Sequence, residues 1–334
     1  MPTWNDVTPP GPALLIVGEA LVDVVIHPDG TRTEHPGGSP ANVAVTLGRL
    51  GHRPTLLTSI GDDAAGRLVR DWLRASGVQL DPRSTGAARG TTAAGDTTSR
   101  AVAHLDQAGA PRYDLDIRWQ LPDADPVQAD LVHIGSISAT LRPGSRAVGR
   151  IVEQARDRAL ISYDPNIRPA LITEPGATRA TIEALAATAD LVKASDEDLS
   201  WIDPAATPED TARRWLRARP AVVIITRGAG GATALTAAGP VSVDAPRVRV
   251  VDTVGAGDTL TGAFLAGLVD HGVLGRADRA DRAEHRQRLH RLGLAEVDDL
   301  LRFSVAAAAV TVSRAGADPP WPHEVDRGRP TMNR

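Results

Sequence analysis

The sequence predicts an α/β protein in which a mainly parallel sheet is covered by helices on both faces. The first observation behind this prediction is that short aliphatic runs alternate with amphipathic helical patterns along almost the whole chain, an order typical of right-handed strand–helix–strand units. The second is that these runs are continuously apolar, as in strands buried on both faces. The third is that two segments carry period-two patterns instead, which indicates a separate small sheet.

The predicted elements follow one another in a regular order. Buried strands are expected where aliphatic runs are bounded by Gly, Pro or Asp, at residues 14–17, 55–58, 131–134, 160–163, 191–192 and 222–226. Helices are expected where apolar residues recur on one face, at residues 40–50, 64–75, 145–156, 177–187 and 208–218. Residues 272–299 carry six arginines interspersed with acids, which predicts a solvated helix and not a nucleic-acid-binding arm.

The two period-two segments predict antiparallel strands outside the main sheet. They lie at about residues 22–36 and 90–119, with turn residues such as Pro28, Asp29 and Gly30 between the strands. Because ligands of open α/β sheets bind outside the carboxyl ends of the strands, a small sheet projecting over that edge would form a lid. We expect one domain over residues 1–322, including this lid, and a C-terminal tail at 323–334.

Composition and charge exclude several classes of function. The 334 residues carry a net charge of −4 and no cysteine, so the chain has neither a field that attracts nucleic acid nor thiolate metal sites. The N-terminus is polar and proline-rich, unlike a signal peptide, and no apolar run approaches the roughly 20 residues that span a bilayer. We therefore expect a cytoplasmic protein without a nucleic-acid or membrane partner.

The most informative segment is a glycine-rich turn that leads from an extended apolar stretch into a helix, VVDTVGAGDTLTGAF at residues 250–264. Backbone amides at such a turn lack helical partners, and with the helix dipole they form a site for phosphate. Gly255, Ala256 and Gly257 leave room for a phosphoryl group beside these amides. Asp258 could accept a proton from an attacking hydroxyl, although the dipole alone also favours an acid at this position.

A glycine pair opens the second informative segment, PGGSPANVAVTLGRLG at residues 36–51. Gly37 and Gly38 predict a turn where backbone can approach a ligand, with Ser39 as the N-cap of the next helix and Pro40 as its first residue. Asn42 then falls in the first helical turn, facing the ligand edge of the sheet. Alone, the segment is equally well explained as a routine turn and a capped helix.

Together the two segments resemble the signature motifs of the ribokinase (pfkB-type) family of carbohydrate kinases. The resemblance extends over about residues 13–322 and includes GEALVD at 18–23 and SIGDDAAG at 59–66. It implies a ribokinase-like three-layer α/β/α fold and a transfer of phosphate from ATP to a sugar in the presence of Mg²⁺. Such a transfer asks mainly for positioning and charge neutralisation from the protein.

On the sugar side, the resemblance implies that Asp258 deprotonates the hydroxyl and that the amides of residues 255–257 stabilise the transferring phosphoryl group. The residues that would hold the sugar are Asp23, Gly37, Gly38, Asn42 and Arg168. Arg168 stands in SYDPNIRP at residues 162–169, directly after a strand end. Its alternative role is that of a structural arginine paired with a carboxylate.

On the nucleotide side, TRGAGG at residues 226–231 resembles the phosphate loop of the family, and residues 306–316 resemble the wall of the adenine pocket. The implied contacts with the nucleotide are Thr226, Gly228, Gly230, Gly231 and Gly257. Ser195 and Asp198 correspond to the motif that organises water around Mg²⁺, with Asp196 or Glu197 as alternatives. Lys193, the only lysine in the chain, would lie near the phosphates.

Family members also bind a monovalent cation beside the anion site, which implies a K⁺ site here. The corresponding positions are Asp252, Val254, Thr311, Arg314 and Gly316. Pro320 stands where some relatives carry a hydroxyl, so the match is incomplete.

Fructose is the predicted acceptor, because the segments around Glu19 and Arg168 resemble fructokinases more than ribokinases. The alternative, 2-keto-3-deoxygluconate, requires a cation for its carboxylate, and Arg100 or Arg118 of the lid could supply one. A nucleoside acceptor would require an apolar pocket, yet the chain has two Phe and two Tyr. A non-catalytic sugar- or nucleotide-sensing protein would have a damaged turn at 255–258.

Exposed lid edges predict a homodimer through the lid.

Overall fold

The structure, a computed structural model, describes residues 11–85, 97–106, 111–121, 128–275 and 282–325. The strands are β1 (Leu14–Val17), β2 (Leu21–Ile26), β3 (Arg32–Gly37), β4 (Thr55–Leu57), β5 (Gln79–Leu80), β6 (Arg100–Leu105), β7 (Pro111–Asp116), β8 (Leu131–Gly135), β9 (Leu160–Asp164), β10 (Leu191–Ser195), β11 (Val222–Thr226), β12 (Ala232–Thr236) and β13 (Gly239–Val243). The helices are α1 (Ser39–Arg49), α2 (Ala64–Ala75), α3 (Ser145–Ala155), α4 (Pro175–Ala186), α5 (Asp196–Ile202), α6 (Pro208–Ala218), α7 (Ala256–Asp270), α8 (Arg282–His290) and α9 (Leu294–Val312).

The central sheet has the strand order β13-β12-β11-β10-β9-β8-β1-β4-β5. Its strands are parallel from β5 to β11, and β12 and β13 extend one edge in antiparallel orientation. The predicted mainly parallel sheet is therefore confirmed, and each predicted strand lies in it. The antiparallel pair was not predicted, because its short runs ATALT and GPVSV contain too few bulky aliphatic residues to indicate buried strands.

Alternate residues of the central strands enter two separate hydrophobic cores. Leu14 and Ile16 of β1 pack with residues of α1, α2, α7 and α9, whereas Leu15 and Val17 pack with residues of α3, α4, α5 and α6. This alternation follows from the pleat of a strand, in which successive side chains point to opposite faces. The result is the expected arrangement of three layers, with helices on both faces of the sheet.

The lid is a four-stranded sheet with the order β3-β2-β6-β7. Its two halves, β2–β3 and β6–β7, are antiparallel hairpins as predicted, but β2 and β6 pair in parallel. The parallel pairing is possible because the long connection from β3 to β6, through α1 and α2, imposes no hairpin geometry. Residues 90–96 and 107–110 of the predicted lid lie outside the described residues.

The predicted solvated helix within residues 272–299 corresponds to α8, most of whose described residues are exposed. Its other face packs on the protein: His285 and Leu289 are buried, and the guanidinium of Arg286 donates to the buried carboxylate of Asp190 at 2.7 Å. Residues 276–281 and 326–334 lie outside the described residues, and Val325 is buried in the core.

A search of the described ranges for a helix long and apolar enough to cross a lipid bilayer found none.

Candidate active site

The glycine-rich turn that the sequence singled out stands at the amino end of α7. Gly255 is the N-cap with a left-handed φ of 76°, and the helix begins at Ala256. A side chain at Gly255 would collide with Ala317, because a Cβ built there would lie 2.6 Å from the Cβ of Ala317. Residue 317 therefore packs against the back of the turn. The amides of the first helical turn have no intrahelical partner and form an anion site.

Asp258 is buried and held from two sides by α1. Its Oδ1 accepts a hydrogen bond from the Ser39 hydroxyl and its Oδ2 accepts one from the Asn42 amide, both at 2.7 Å. The Asn42 amide thus points at the amino end of α7. The expectation that Ser39 is the N-cap of α1 is wrong: Gly38 is the N-cap, and Ser39 is the first helical residue, so its hydroxyl is free to reach Asp258.

Asn166 brings the loop after β9 to the same carboxylate. Its Nδ2 lies 3.3 Å from Asp258 Oδ1, and its backbone has an uncommon positive φ of 36°. Arg168 is exposed and donates to Asn166 Oδ1 at 2.7 Å. In this structure Arg168 therefore orients Asn166. Its charge also offsets part of the rise that burial causes in the pKa of Asp23. The sequence offered Asn166 only through its place beside Arg168.

Lys193 lies beneath the anion site and is buried. Its ammonium donates to Asp164 Oδ2 at 2.9 Å, and a Cβ at Gly257 would lie 2.7 Å from its Nζ. Burial alone would lower the pKa of Lys193, but the carboxylates of Asp164, Asp198 and Asp258 outweigh it and raise the pKa. A permanent positive charge therefore stands against the turn where a phosphoryl group would bind.

Ser195 and Asp198 form a capping box at the start of α5. Asp198 Oδ2 accepts from the amide of Ser195, and the Ser195 hydroxyl accepts from the amide of Asp198, both at 3.0 Å. Asp198 Oδ1 also accepts from the amide of Ile167 at 2.8 Å. Asp198 is buried, whereas Glu197 is exposed, so Asp198 is the acid that faces the loop after β9.

The sugar-side residues meet at the junction of the lid and α1. Asp23 on β2 lies directly opposite His35 on β3, and a Cβ at Gly37 would lie 2.5 Å from Asp23 Oδ2. Gly38 has a φ of 106° and would place a Cβ 2.5 Å from the carbonyl oxygen of Glu19. Burial raises the pKa of Asp23 to about 6, against the opposing charges of His35 and Arg168.

The residues predicted to bind the nucleotide phosphates lie at the same edge of the sheet, at the end of β11, the neighbour of β10. Thr226 ends β11 in register with Ser195 at the end of β10, and the turn Gly228–Gly230 follows. Gly231 has a φ of 82° and would place a Cβ 2.1 Å from the Val243 carbonyl oxygen.

The positions proposed for a monovalent cation form two touching segments behind the anion site. Asp252 accepts from the amides of Val254 and Gly316, at 3.0 and 2.9 Å. The amide of Arg314 donates to the carbonyl of Thr311 at 3.0 Å. The Thr311 hydroxyl lies in the core, 2.9 Å from that of Thr259, and the Arg314 guanidinium pairs with Asp318 and Glu324. Asp252 thus joins the segments around Val254 and Gly316.

Comparison with known proteins decides the family. Residues 13–324 match the pfkB family carbohydrate kinase model. The chain belongs to the pfkB family of carbohydrate kinases. It is 34% identical to the fructokinase of Rhizobium leguminosarum bv. trifolii over 285 residues, which is 82% of this chain and 85% of that protein.

Solved structures of pfkB-type kinases share the fold. The crystal structure of Xylella fastidiosa fructokinase with bound ATP has a TM-score of 0.79 and 26% identity, covering 93% of this chain and 96% of that chain. The Salmonella enterica aminoimidazole riboside kinase has a TM-score of 0.72 and 26% identity, covering 93% and 97%. The carbohydrate kinase and ribokinase-like predictions are therefore confirmed.

Proposed function

We propose that this pfkB kinase transfers the γ-phosphoryl group of ATP to a hydroxyl of fructose. The observation that carries the proposal is Asp258, a buried carboxylate hydrogen-bonded by Ser39 and Asn42 at the amino end of α7. An intact turn of this kind argues against a non-catalytic sugar- or nucleotide-sensing protein, which would not need to preserve a base beside the anion site.

Asp258 would act as the general base. Oδ1 accepts from Ser39 and Asn166, whereas Oδ2 accepts only from Asn42 among the described residues and keeps a lone pair for the hydroxyl of the sugar. The oxygen of the sugar hydroxyl bonds to the γ-phosphorus while the bond between the γ-phosphorus and the bridging β-phosphate oxygen breaks. Asp258 takes the proton of the hydroxyl during this step. Ser39 and Asn42 fix the carboxylate so that little reorganisation is needed during the transfer.

The amides of residues 255–257 and the ammonium of Lys193 would stabilise the charge on the transferring group. Gly255 and Gly257 have no side chain to block this approach, and Lys193 lies directly against Gly257. Preorganised donors in a site of low dielectric stabilise developing charge more strongly than water does. We assign Thr226, Gly228, Gly230 and Gly231 to the remaining nucleotide phosphates, because their loop stands at the same edge.

Mg²⁺ would enter with the nucleotide. Among the described residues no group of three acidic, histidine or cysteine side chains could hold a metal, which suits an ion bound mainly by phosphates and water. We propose Asp198 as the acid that contacts its water. For K⁺, Asp252 and the carbonyl of Val254 fit an oxygen site, together with carbonyls of the segment from Thr311 to Gly316.

Fructose is favoured over an acidic sugar by the charges on the lid. Arg118 pairs with Asp116 at 3.0 Å, and Arg100 lies 4.0 Å from both Glu34 and Asp63. Each candidate cation for a substrate carboxylate thus already has acidic neighbours. The fructokinase identity of the Rhizobium relative supports the same choice.

A kinetic panel with ATP and purified protein tests the acceptor. We expect the highest kcat/KM with fructose, at least about tenfold above 2-keto-3-deoxygluconate, ribose and aminoimidazole riboside, because a site built to hydrogen-bond one acceptor disfavours analogues by this amount or more. A higher kcat/KM with 2-keto-3-deoxygluconate would contradict the assignment of fructose while leaving the kinase chemistry intact.

We also propose a cytoplasmic homodimer that forms through the lid. β3 and β7 are the outer strands of the lid sheet, and such edges usually pair or are covered. By register, Val25, Ala101 and Ala103 share the lid face of Asp23, opposite the face of Val22 and Val24 that packs on the core. A second copy would cover this apolar face.

A further inference from the structure

Glu19 is a buried acid to which the sequence analysis assigned no role of its own. It follows β1 at the ligand edge of the sheet and is only 4% exposed. Its Oε2 accepts a hydrogen bond from the amide of Ser138 at 3.2 Å, and its carboxyl group also bonds the Ser136 side chain. Burial of a carboxyl group costs free energy unless hydrogen bonds compensate it, and here the Ser138 amide and the Ser136 side chain supply them.

The two partners belong to a strained turn that adjoins the reacting centre. Ser136 has a φ of 57°, a left-handed conformation that non-glycine residues rarely adopt. Ser136 also lines a cavity of about 410 Å³ together with Asn166 and Arg168, and Asn166 contacts Asp258. Strain of this kind persists where surrounding contacts hold it, and the Glu19 carboxyl is such a contact.

The main chain of the same residue supports the opposite wall. The carbonyl oxygen of Glu19 lies against Gly38, where any Cβ would come within 2.5 Å. Gly38 is the N-cap of α1, which carries the two donors to Asp258. One residue therefore seats both the glycine pair at 37–38 and the turn that begins at Ser136.

We infer that Glu19 is a positioning residue of the acceptor site, which fixes the Ser136 turn relative to the Gly37–Gly38 pair. The inference rests on the proposed kinase function but not on the identity of the sugar. Burial raises the pKa of Glu19 to about 7, and the charge of Asp258 adds to this. Asp258 is the charged group that acts on Glu19 from the elements packed against it; Ser136 and Ser138 are neutral.

The positioning role has a direct consequence for acceptor binding. Without the carboxyl group, the Ser138 amide and the Ser136 hydroxyl lose their partner, so the turn should relax and weaken acceptor binding.

The experiment compares Glu19→Ala and Glu19→Gln with the wild type, using whichever sugar the panel identifies. Glu19→Ala should raise the KM for sugar about tenfold, the loss expected for one buried polar contact, with the KM for ATP unchanged. Glu19→Gln should retain the KM for sugar, since its amide oxygen can accept from Ser138. Glu174→Gln is the matched control, because Glu174 lines the same cavity but is exposed.

The outcomes are distinct. Equal KM values for sugar in the wild type and in folded Glu19→Ala would overturn the positioning role. A KM for sugar in Glu19→Gln as high as that in Glu19→Ala would also overturn it, because the glutamine keeps the acceptor for the Ser138 amide. If Glu19→Ala does not fold, Glu19→Leu replaces it. Its sugar binding is then measured by calorimetry at a temperature at which this variant is folded, and an affinity equal to that of the wild type would overturn the positioning role. A wild type that phosphorylates no sugar contradicts the proposed function itself.

Discussion

The surroundings of Asp258 are assembled from residues far apart in the sequence. Its hydrogen-bond partners come from the start of α1 and from the loop after β9. The glycine turn and the Asp258 carboxylate could be predicted because they are contiguous. The donors Ser39 and Asn166 could not, because their approach depends on which strands are neighbours in the sheet. The role of Glu19 could not be predicted for the same reason, because its partners follow β8, which the sequence alone does not place beside β1.

Lys193 provides a prediction at the scale of single residues. Lys193→Met leaves the fully buried Asp164 without its partner, so we expect a loss of about 3 kcal/mol in the free energy of unfolding and a strongly raised KM for ATP. Urea unfolding and initial-rate kinetics measure the two effects.

The double variant Lys193→Met/Asp164→Asn is the control for this prediction. It removes the uncompensated charge, so stability should recover while ATP binding stays weak. Recovery of both properties would show that Lys193 acts only as the structural partner of Asp164.

Helices and strands were predicted closely where a pattern was strong. α2, α6, β1 and β11 have the bounds that the sequence indicated, because their apolar periodicity is unbroken and turn residues flank them. The charges of α8 predicted a solvated helix, and most of its described residues are exposed, but the contact of Arg286 with the buried Asp190 was not predicted. Charge patterns record composition but not which helix face is packed.

Arg286 supplies the prediction at the scale of elements. Its guanidinium joins α8 to Asp190, which is fully buried between β9 and β10 and also accepts from the amide of Ile161. Arg286→Ala should lower the free energy of unfolding by about 1–3 kcal/mol, because a buried acceptor loses a charged donor. Arg288→Ala, which removes an exposed pair with Glu284 and an exposed hydrogen bond to the Gly272 carbonyl, should change it by less than about 0.5 kcal/mol. Equal effects of the two substitutions would contradict the described role of α8.

The whole molecule combines a rigid parallel sheet with a lid that carries Asp23 over its ligand edge. The sequence predicted both parts, since period-two and helical patterns differ clearly, but it did not predict the parallel pairing of β2 with β6. That pairing joins residues more than 70 positions apart, counted from Val22 to Arg100, and no local signal specifies it. The lid is also the part through which we propose dimerisation.

Sedimentation analysis tests the assembly. We expect a dimer at micromolar concentration for the wild type and a monomer for Ala103→Glu, which places a charge on the lid face shared with Asp23. A dimer that persists in Ala103→Glu would exclude this face as the interface.

The most direct test of the proposed chemistry is the turnover of Asp258→Asn. The asparagine can occupy the same space beside Ser39 and Asn42 but cannot take a proton, so kcat should fall by a factor of about 100 to 10,000. Sugar and ATP, measured by calorimetry, should still bind within about threefold of the wild-type affinities, because only the base is removed. Turnover that remains near the wild-type value in this variant would contradict the assignment of Asp258 as the base.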